Sequence, residues 1–445
     1  MKLWKGALGA SILLALTAAC ASEPPPAPEP ESTDVNWPTA TSVPTRAADS
    51  TADAAIPGKQ LSLNVADFGI HAFRQRPQTG AGSIRLACVP TWRDVQGSPG
   101  QDYWGGFDEW MNKLAGWGFN DITFVFCGTP EWAAGKASRK ETPVLGELST
   151  RPPADMNTWR SFVQDVVSRY GDRIAAYEVW NEPTSPQFFS GSAGELAEMT
   201  QVVHDVVKSS DPSAAVVSAS AQTHSDAYAP FRVKYFEALA ARQWPVDAVA
   251  IHGYPAAKET PEDRVRRLQG VNDELAAAGK PEKVQVWDTE VNYDLGSNSV
   301  PSKKYEARIS GDKASAWTAV SFLDSWALGI QKTYWYLWTD LPYDFTGIQT
   351  MKGTEATRTL NTLTEWVAGS DFLGCEDRDG ARVCRFDGNG QEYYIAFTRK
   401  GTAELATTGG RAEVCPVDGD GCSEVKGAVK VSTLPVRITG VRLSD

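Results

Sequence analysis

Two glutamates that follow β-rich runs are the side chains of this chain best suited to act together in chemistry. Glu182 follows the run 175–180 within Trp180-Asn181-Glu182-Pro183, and Glu290 follows the run 284–289. A carboxyl group that keeps its proton and a carboxylate that stays ionised can together cleave a glycosidic bond, because the first protonates the leaving oxygen while the second attacks the sugar carbon. The sequence therefore predicts Glu182 as general acid/base and Glu290 as nucleophile, provided that the fold brings them together.

The residues beside the two glutamates favour strand ends over surface turns. Asn181 carries an amide that suits the sugar 2-hydroxyl, although Asn-Glu-Pro taken alone fits a turn and Glu290 taken alone fits a solvent-facing loop. The β-forming residues Tyr177 and Val179 precede the first glutamate, which favours a strand there. Strict alternation along the second run would place Asp288 on the same face as Glu290.

A third group of polar residues belongs to neighbouring predicted strands. The run 251–255, Ile-His-Gly-Tyr-Pro, ends the sixth predicted strand. In a barrel this strand adjoins the one that ends at Glu290, so the Tyr254 hydroxyl can bond the nucleophile and keep it ionised. Arg85 lies inside the second strand, where a buried cation is costly unless it pairs with a carboxylate. We predict that Arg85, His252 and Tyr254 belong to the site; the alternatives are a core histidine and a turn aromatic.

Two tryptophans are candidates for contact with a sugar ring. Trp132 follows Thr-Pro-Glu after the third predicted strand, and Trp338 ends the aromatic run 334–338 of the eighth. Aromatic faces stack on sugars, and both positions should lie at the floor of a cleft. The alternative for each is ordinary packing, which accounts for most aromatic residues in any domain.

β-Rich runs alternate with amphipathic helical patterns over most of the chain. The predicted strands are 67–72, 83–89, 121–127, 173–181, 215–220, 246–252, 283–290 and 331–338; the predicted helices are 103–117, 155–169, 193–209, 228–242, 261–278, 311–328 and 354–367. Eight such units predict an α/β fold, a (β/α)8 TIM barrel, over residues 59–368. A doubly wound sheet is the alternative, but no glycine-rich phosphate loop follows any strand. Short strands and turn signals over 369–445 predict a small C-terminal β-sandwich domain.

The N-terminal segment predicts export. A positive start and the apolar stretch 6–19 precede Cys20, so residues 1–20 resemble a lipoprotein-type signal peptide with Cys20 as the lipidated residue. The alternative is ordinary cleavage just after Ala21, which would discard Cys20. The proline-rich stretch 21–58 predicts a solvated, disordered tether. The protein is therefore expected on the outer face of the cell membrane as a lipoprotein, or secreted.

Charge and residue counts exclude several classes of partner. The net charge of −12 and the pI near 5 argue against nucleic acid, and against membrane contact other than through the lipid anchor. The 4 histidines are scattered and no cysteine pair has metal-binding spacing, so we expect no metal and no cofactor.

Six cysteines beyond the leader fall into three pairs along the chain. An exported chain with an even number of cysteines permits disulfides. We predict two short bridges in the C-terminal region, Cys375–Cys384 and Cys415–Cys422. Cys88 and Cys127 end consecutive predicted strands and either form a bridge or remain buried thiols.

These motifs resemble clan A of the glycoside hydrolases over about residues 64–368. The motifs that carry the resemblance are Phe68-Gly69-Ile70-His71, Thr129-Pro130-Glu131-Trp132, Trp180-Asn181-Glu182-Pro183, His252-Gly253-Tyr254, Thr289-Glu290 and Trp338. Within the clan the chain is most similar to family 39, including the secreted bacterial exopolysaccharide hydrolases near it. The resemblance implies retaining hydrolysis of O-glycosidic bonds in a polysaccharide or oligosaccharide by double displacement, with carboxyl groups about 5–5.5 Å apart.

One departure from the family pattern concerns the segment after Trp132. It is long and charged, with Lys136, Arg139, Lys140 and Glu141 among its residues, and could cover the cleft and set its specificity. Two alternative functions remain open at this point. One is a carbohydrate-binding envelope lipoprotein on a barrel that has lost its activity; the other is an arabinofuranosidase or endoglucanase of a related family.

Overall fold

A computed structural model describes residues 61–66, 76–141, 149–295, 308–340, 343 and 345–444. The predicted leader and tether, and the motif at 68–71, lie outside the described residues. So does the predicted first strand at 67–72. The strand that takes its place in the sheet lies earlier, at Leu61–Ala66, where leucine and valine alternate with smaller or polar residues.

The first sheet is a closed parallel barrel. Its strands are β1 (Leu61–Ala66), β2 (Ser83–Ala87), β3 (Ile122–Val125), β4 (Ile174–Glu178), β5 (Ala215–Val217), β6 (Ala221–Gln222), β7 (Ala248–His252), β8 (Gln285–Val291) and β9 (Lys332–Trp335). β1 pairs with both β2 and β9, and β5 pairs with β7, so the ring closes. The short strand β6 is an addition that pairs with β7 alone. The predicted TIM barrel is confirmed.

Helices follow most of the barrel strands and cover the sheet. They are α1 (Trp92–Val95), α2 (Gly105–Gly116), α3 (Met156–Tyr170), α4 (Ala193–Ser210), α5 (Ala229–Ala241), α6 (Pro261–Ala277), α7 (Gly311–Ala327) and α8 (Glu355–Val367). All but the four-residue α1 match predicted helices to within two residues at each end. Local signals set these bounds; at the start of α4, for example, Ser192 and Glu195 form a reciprocal capping box.

A small apolar cluster fills the barrel interior. It consists of Ala176, Val217, Ala248, Ala250, Trp287 and Tyr334. At the amino-terminal end of the barrel, Lys332 and Asp121 form a buried ion pair with a 2.9 Å Nζ–Oδ1 distance. Charge at this end stabilises the barrel, whereas the polar residues at the carboxyl ends of the strands are free to build a site.

A β-bulge in β8 alters which residues point into the barrel. Asp288 lies opposite Ile251 of β7, but Glu290 lies opposite the next residue, His252, so Thr289 is an extra residue. The bulge reverses the alternation. Asp288 consequently points outward to α6, where it pairs with Arg264, and the prediction that Asp288 shares the face of Glu290 is wrong.

The C-terminal part is a second sheet, antiparallel throughout. Its strands are β10 (Asp371–Arg378), β11 (Ala381–Gly388), β12 (Gln391–Phe397), β13 (Ala403–Pro416), β14 (Ser423–Val431), β15 (Val436–Thr439) and β16 (Arg442–Leu443). The long β13 is irregular between Ala406 and Arg411 and pairs with β14 on both sides of that point. One face encloses its own core, which includes Val383, Leu405 and Val429. The predicted β-sandwich is therefore sandwich-like in its packing, although its strands form one continuous sheet.

The other face of this sheet packs on the barrel. The Trp326 ring of α7 lies 6.2 Å from the Phe372 ring and 6.1 Å from the Phe386 ring, centroid to centroid. Arg399 reaches back to Asp324 of α7, with Nη2 2.6 Å from Oδ1. Barrel and sheet residues accordingly belong to one continuous hydrophobic cluster.

Three disulfides are present among the described residues. The predicted bridges Cys375–Cys384 and Cys415–Cys422 are confirmed, and Cys88 is bonded to Cys127. The Cys88–Cys127 bridge joins the ends of β2 and β3. Within the described ranges, no helix is long and apolar enough to cross a membrane.

Candidate active site

A buried arginine organises the carboxyl end of the barrel. Arg85 of β2 donates from Nε and Nη2 to the two oxygens of Glu178 on β4, both at 2.7 Å, and from Nη1 to Glu290 Oε1, also at 2.7 Å. Arg85 and Glu178 are fully buried. A buried cation needs such partners, and here two carboxylates share it. Nη2 also donates to Asn181 Oδ1 at 3.0 Å, which fixes the orientation of that amide.

The second oxygen of Glu290 is held by a tyrosine. The Tyr254 hydroxyl donates to Glu290 Oε2 at 2.7 Å. The position of Tyr254 depends on the preceding Gly253, whose N–H donates to Asp288 Oδ1 at 2.8 Å. The outward-pointing Asp288 and its partner Arg264 thus anchor the turn that presents Tyr254, since Arg264 also donates to the Gly253 carbonyl at 3.0 Å.

Glu182 is bound to the buried His252. His252 Nδ1 lies 2.8 Å from Glu182 Oε1, and its other ring nitrogen, Nε2, lies 3.4 Å from Arg85 Nη2. Both Nη2 hydrogens of Arg85 already serve Glu178 and Asn181, so the contact with Nε2 is a packing contact. His252 Nδ1 also lies 3.4 Å from Glu290 Oε2, so the imidazole sits beside both glutamates.

The backbone at Glu182 has an unusual conformation. Its φ of 48° lies in the left-handed region, which few residues other than glycine adopt. Such strain persists only where the surroundings hold it, and it concentrates at functional sites. Ser220 Oγ accepts from the Glu182 N–H at 3.2 Å, and Thr184 donates to Gln222 Oε1 at 2.5 Å. The Gln222 side chain also bonds the Glu182 carboxyl group.

The two glutamates differ in how readily they ionise. Burial raises the pKa of Glu290 to about 7, although Arg85 and the Tyr254 hydroxyl both act to lower it. Burial, and next the charge of Glu290, raise the pKa of Glu182 well above its usual range. Burial and the charge of Arg85 lower the pKa of His252 well below its ordinary value, so the imidazole is neutral. Glu290 therefore ionises first and Glu182 keeps its proton.

The glutamates face each other at short range. An oxygen of Glu182, an oxygen of Glu290 and a ring nitrogen of His252 all lie within 4.8 Å of one another. Three such groups could ligate a metal ion. Both Glu290 oxygens, however, already accept from Arg85 and Tyr254, and a cation there would meet the guanidinium charge. The donor set fits a proton-transfer site better than a metal site.

The two predicted sugar-contact tryptophans lie in different surroundings. Trp132 is 39% exposed and its indole N–H donates to the Gln96 carbonyl at 2.7 Å. Trp338 is 1% exposed and packs in the main core. Its indole N–H has no hydrogen-bond partner within the described parts of the chain. Sugar contact by either side chain stays a prediction.

Three residues near the glutamates were not predicted: Glu178, Gln222 and Tyr336. The Tyr336 ring lies 6.1 Å from the Tyr254 ring in an edge-to-face arrangement, and both glutamates raise its pKa in addition to burial. Glu178 was detectable in principle, because a glutamate inside an apolar strand needs a partner as much as Arg85 does. Gln222 lies on the two-residue β6, which leaves no recognisable sequence pattern.

Sequence comparison with known proteins gives a partial match. No family model matches the chain. A β-xylosidase of Geobacillus stearothermophilus is 30% identical over 126 residues, which are 26% of this chain and 24% of the relative. The chain thus spans about a quarter of the length of that curated relative.

Solved structures match over nearly the whole chain. A family 39 glycoside hydrolase from Bacteroides cellulosilyticus WH2 has a TM-score of 0.63 at 15% identity, covering 88% of this chain and 82% of that one. A family 39 β-xylosidase from Caulobacter crescentus has a TM-score of 0.57 at 17% identity, covering 87% and 97%. A family 30 endoxylanase from Clostridium papyrosolvens C71 has a TM-score of 0.55 at 11% identity, covering 86% and 96%. The predicted resemblance to family 39 is confirmed for the fold.

Proposed function

We propose that the protein is a retaining glycoside hydrolase, with Glu182 as general acid/base and Glu290 as nucleophile. One observation carries the proposal: two carboxyl groups with oxygens within 4.8 Å of each other have opposite kinds of partner. A guanidinium and a hydroxyl stabilise charge on Glu290, whereas Glu182 faces a neutral imidazole. Retaining enzymes hold their carboxyl groups about 5–5.5 Å apart, and inverting enzymes ~6.5–9.5 Å apart.

The first half-reaction forms a glycosyl ester. A Glu290 oxygen attacks the anomeric carbon, the bond from that carbon to the leaving oxygen breaks, and the leaving oxygen takes the Glu182 proton. Asn181, oriented by Arg85, is placed to bond the sugar 2-hydroxyl. The negative charge lost from Glu290 is transferred to Glu182, so the net charge of the site is unchanged.

The second half-reaction releases the sugar. Ionised Glu182 takes a proton from water, the water oxygen attacks the anomeric carbon, and Glu290 leaves as a carboxylate. Two inversions give retention. Arg85 and Tyr254 stabilise Glu290 as it leaves, because both donate to its oxygens.

We propose a substrate class from the proteins that this chain resembles. The matching proteins include a β-xylosidase and an endoxylanase, so a β-xyloside within a poly- or oligosaccharide is the first candidate. The three disulfides suit an oxidising, extracytoplasmic compartment. Lipid attachment at Cys20 remains part of the proposal, and loss of fatty-acid labelling in Cys20→Ser tests it.

The test compares the wild-type chain with Glu182→Ala and Glu290→Ala on aryl β-xylosides, β-glucosides and α-L-arabinofuranosides and on plant and bacterial polysaccharides. NMR of the first product should show the anomer of the substrate. With azide added, Glu182→Ala should yield a glycosyl azide of retained configuration and Glu290→Ala one of inverted configuration. Turnover of arabinofuranosides alone would change the sugar but keep the mechanism. An inverted wild-type product, or no turnover of any glycoside, would contradict the proposal.

A further inference from the structure

We infer that Arg139 is a positioning residue that holds the loop of the acid/base Glu182 in its productive conformation. The inference rests on the proposed function and adds to it a role for the charged segment after Trp132. We define the covering segment as residues 134–141 and the acid/base loop as residues 182–191. The two lie in contact along the rim of the barrel.

The Arg139 guanidinium binds three main-chain carbonyl groups of the acid/base loop, and we call this set of hydrogen bonds the clamp. Nη1 donates to the Thr184 carbonyl at 3.0 Å, and Nη2 donates to the Pro183 carbonyl at 2.5 Å and to that of Phe189. Pro183 and Thr184 lie near the start of the loop and Phe189 lies near its end, so a single planar group connects the two ends. The guanidinium also lies over the Phe231 ring of α5, 4.0 Å from its centroid.

The main chain of the covering segment reinforces the clamp. The N–H groups of Ser138 and Arg139 both donate to the Ser190 carbonyl at 2.8 Å. The Ser138 hydroxyl donates to Glu195 at 3.0 Å, and Glu195 forms the capping box of α4 together with Ser192. The covering segment is therefore attached to the loop and to the helix that follows it.

Arg139 differs from Arg85 in the kind of partner that it binds. Among the residues that the structure describes, it forms no ion pair with a carboxylate; its Nη1 and Nη2 groups donate to carbonyl oxygens, and its buried Nε has no hydrogen-bond partner. Burial lowers its pKa to about 10, so it stays charged at neutral pH. A half-buried arginine without a counter-charge nearby is costly, and the loop geometry it maintains is what the structure gains from it.

That geometry matters because Glu182 is strained. Its φ of 48° must be imposed by its surroundings, and the next two carbonyls of the chain are those that Arg139 binds. The Ser185 N–H closes the turn onto the Glu182 carbonyl at 3.2 Å. Release of the clamp would let this turn relax and move the acid away from the leaving oxygen, and displacements of about 1 Å cost on the order of a hundredfold in rate.

The experiment compares Arg139→Ala and Arg139→Lys with the matched control Arg151→Ala. Arg151 is close in sequence and pairs with Glu141 of the covering segment, with Nη2 2.6 Å from Oε2, but contacts no carbonyl of the acid/base loop. On a substrate with a poor leaving group, kcat/KM should fall on the order of a hundredfold in Arg139→Ala and less than about threefold in the control. On a dinitrophenyl glycoside, which needs no proton, the loss in Arg139→Ala should shrink to a few-fold.

Two further measurements separate positioning from general damage. Added guanidinium, at concentrations too low to unfold the protein, should restore part of the poor-leaving-group activity in Arg139→Ala. Arg139→Lys should remain impaired, because a lysine cannot span three carbonyls. Equal losses on both leaving groups, or an equal loss in Arg151→Ala, would overturn the inference.

A readout independent of activity keeps this inference distinct from the proposed function. Amide hydrogen exchange within 183–190 should speed up at least tenfold in Arg139→Ala and stay unchanged in Arg151→Ala. Unchanged exchange in Arg139→Ala would refute the clamp even if the enzyme is active. Faster exchange in Arg139→Ala, together with a wild type that has no glycosidase activity, would instead uphold the clamp and refute the function.

Discussion

Arg85 and Glu178 are joined by two parallel hydrogen bonds, Nε to Oε2 and Nη2 to Oε1, each 2.7 Å long. This bidentate pair leaves Glu290 a single Arg85 N–H, at Nη1. Glu290 therefore shares its counter-charge with a second carboxylate, and its pKa stays near 7 because burial outweighs the remaining attraction to Arg85. Glu178 thus acts on Glu290 through the arginine that they share.

Glu178→Gln should lower the pKa of Glu290. The charge of Glu178 raises that pKa, and its removal leaves the full Arg85 charge to Glu290. The acidic limb of kcat/KM should therefore move to lower pH, as a pH–rate profile would show. Loss of a buried partner should also lower the free energy of unfolding by about 3 kcal/mol, so assays belong well below the melting temperature. A limb that moves to higher pH would contradict the shared-charge account.

Tyr254→Phe should move the acidic limb of kcat/KM to higher pH. The Tyr254 hydroxyl donates to Glu290 and lowers its pKa, so its removal favours the protonated, inactive carboxyl group. A hydrogen bond to a charged group contributes about 1.5–3 kcal/mol, which corresponds to a loss in kcat/KM of roughly ten- to a hundredfold. Tyr235→Phe is the control, because that buried hydroxyl bonds Thr200 and the Ala219 N–H outside the site. It should lower stability without moving the limb.

The site should make the folded protein less stable as pH rises from about 4.5 to 7. The folded-state pKa of Glu290 is raised from 4.5 to about 7, so the folded chain binds its proton more tightly than the unfolded chain. The stabilising contribution is complete below pH 4.5 and lost as pH passes 7, a difference of about 3 kcal/mol. Glu290→Gln does not titrate there. Urea unfolding at pH 5 and pH 8 should therefore show that the free energy of unfolding of Glu290→Gln, relative to that of the wild type, is higher at pH 8 than at pH 5. An equal change with pH in both proteins would refute this.

Gly253→Ala should damage the site although the added group is one methyl. A Cβ at Gly253 would overlap the Asp288 carboxylate, which is fixed by Arg264 and by the Gly253 N–H. The strand end would have to shift and carry Tyr254 with it, so kcat/KM and the melting temperature should both fall. Gly270→Ala is the matched control, because a Cβ there meets nothing within 4 Å. In the middle of α6 it should raise stability by about 1 kcal/mol; equal thermal shifts in the two variants would contradict the overlap.

The helices and the meeting of Glu182 with Glu290 could be predicted because their signals are local. Amphipathic periodicity and capping residues such as Ser192 define α4 without reference to the rest of the chain. Likewise, Glu182 and Glu290 each follow a β-rich run, and the parallel fold brings the ends of its strands together. These predictions needed the order of the elements and nothing about their exact register.

The features that escaped prediction depend on contacts between strands. The bulge that turns Asp288 outward arises from the pairing of β8 with β7, and a strict period of two cannot reveal an extra residue. Pairing with β2 and β9 likewise selects Leu61–Ala66 as a barrel strand, whereas the predicted strand 67–72 lies outside the described residues. Glu178 acquires its role only when β2 and β4 place it beside Arg85.

The packing of the C-terminal sheet on α7 has a practical consequence for anyone who shortens this chain. A fragment ending at Ala368 would uncover the Trp326 ring, which now packs on Phe372 and Phe386, and would strip Asp324 of Arg399. Exposed aromatic surface of that kind promotes aggregation. The boundary near residue 368 is thus a change of sequence pattern and not a place to cut, and a shortened chain should keep the sheet.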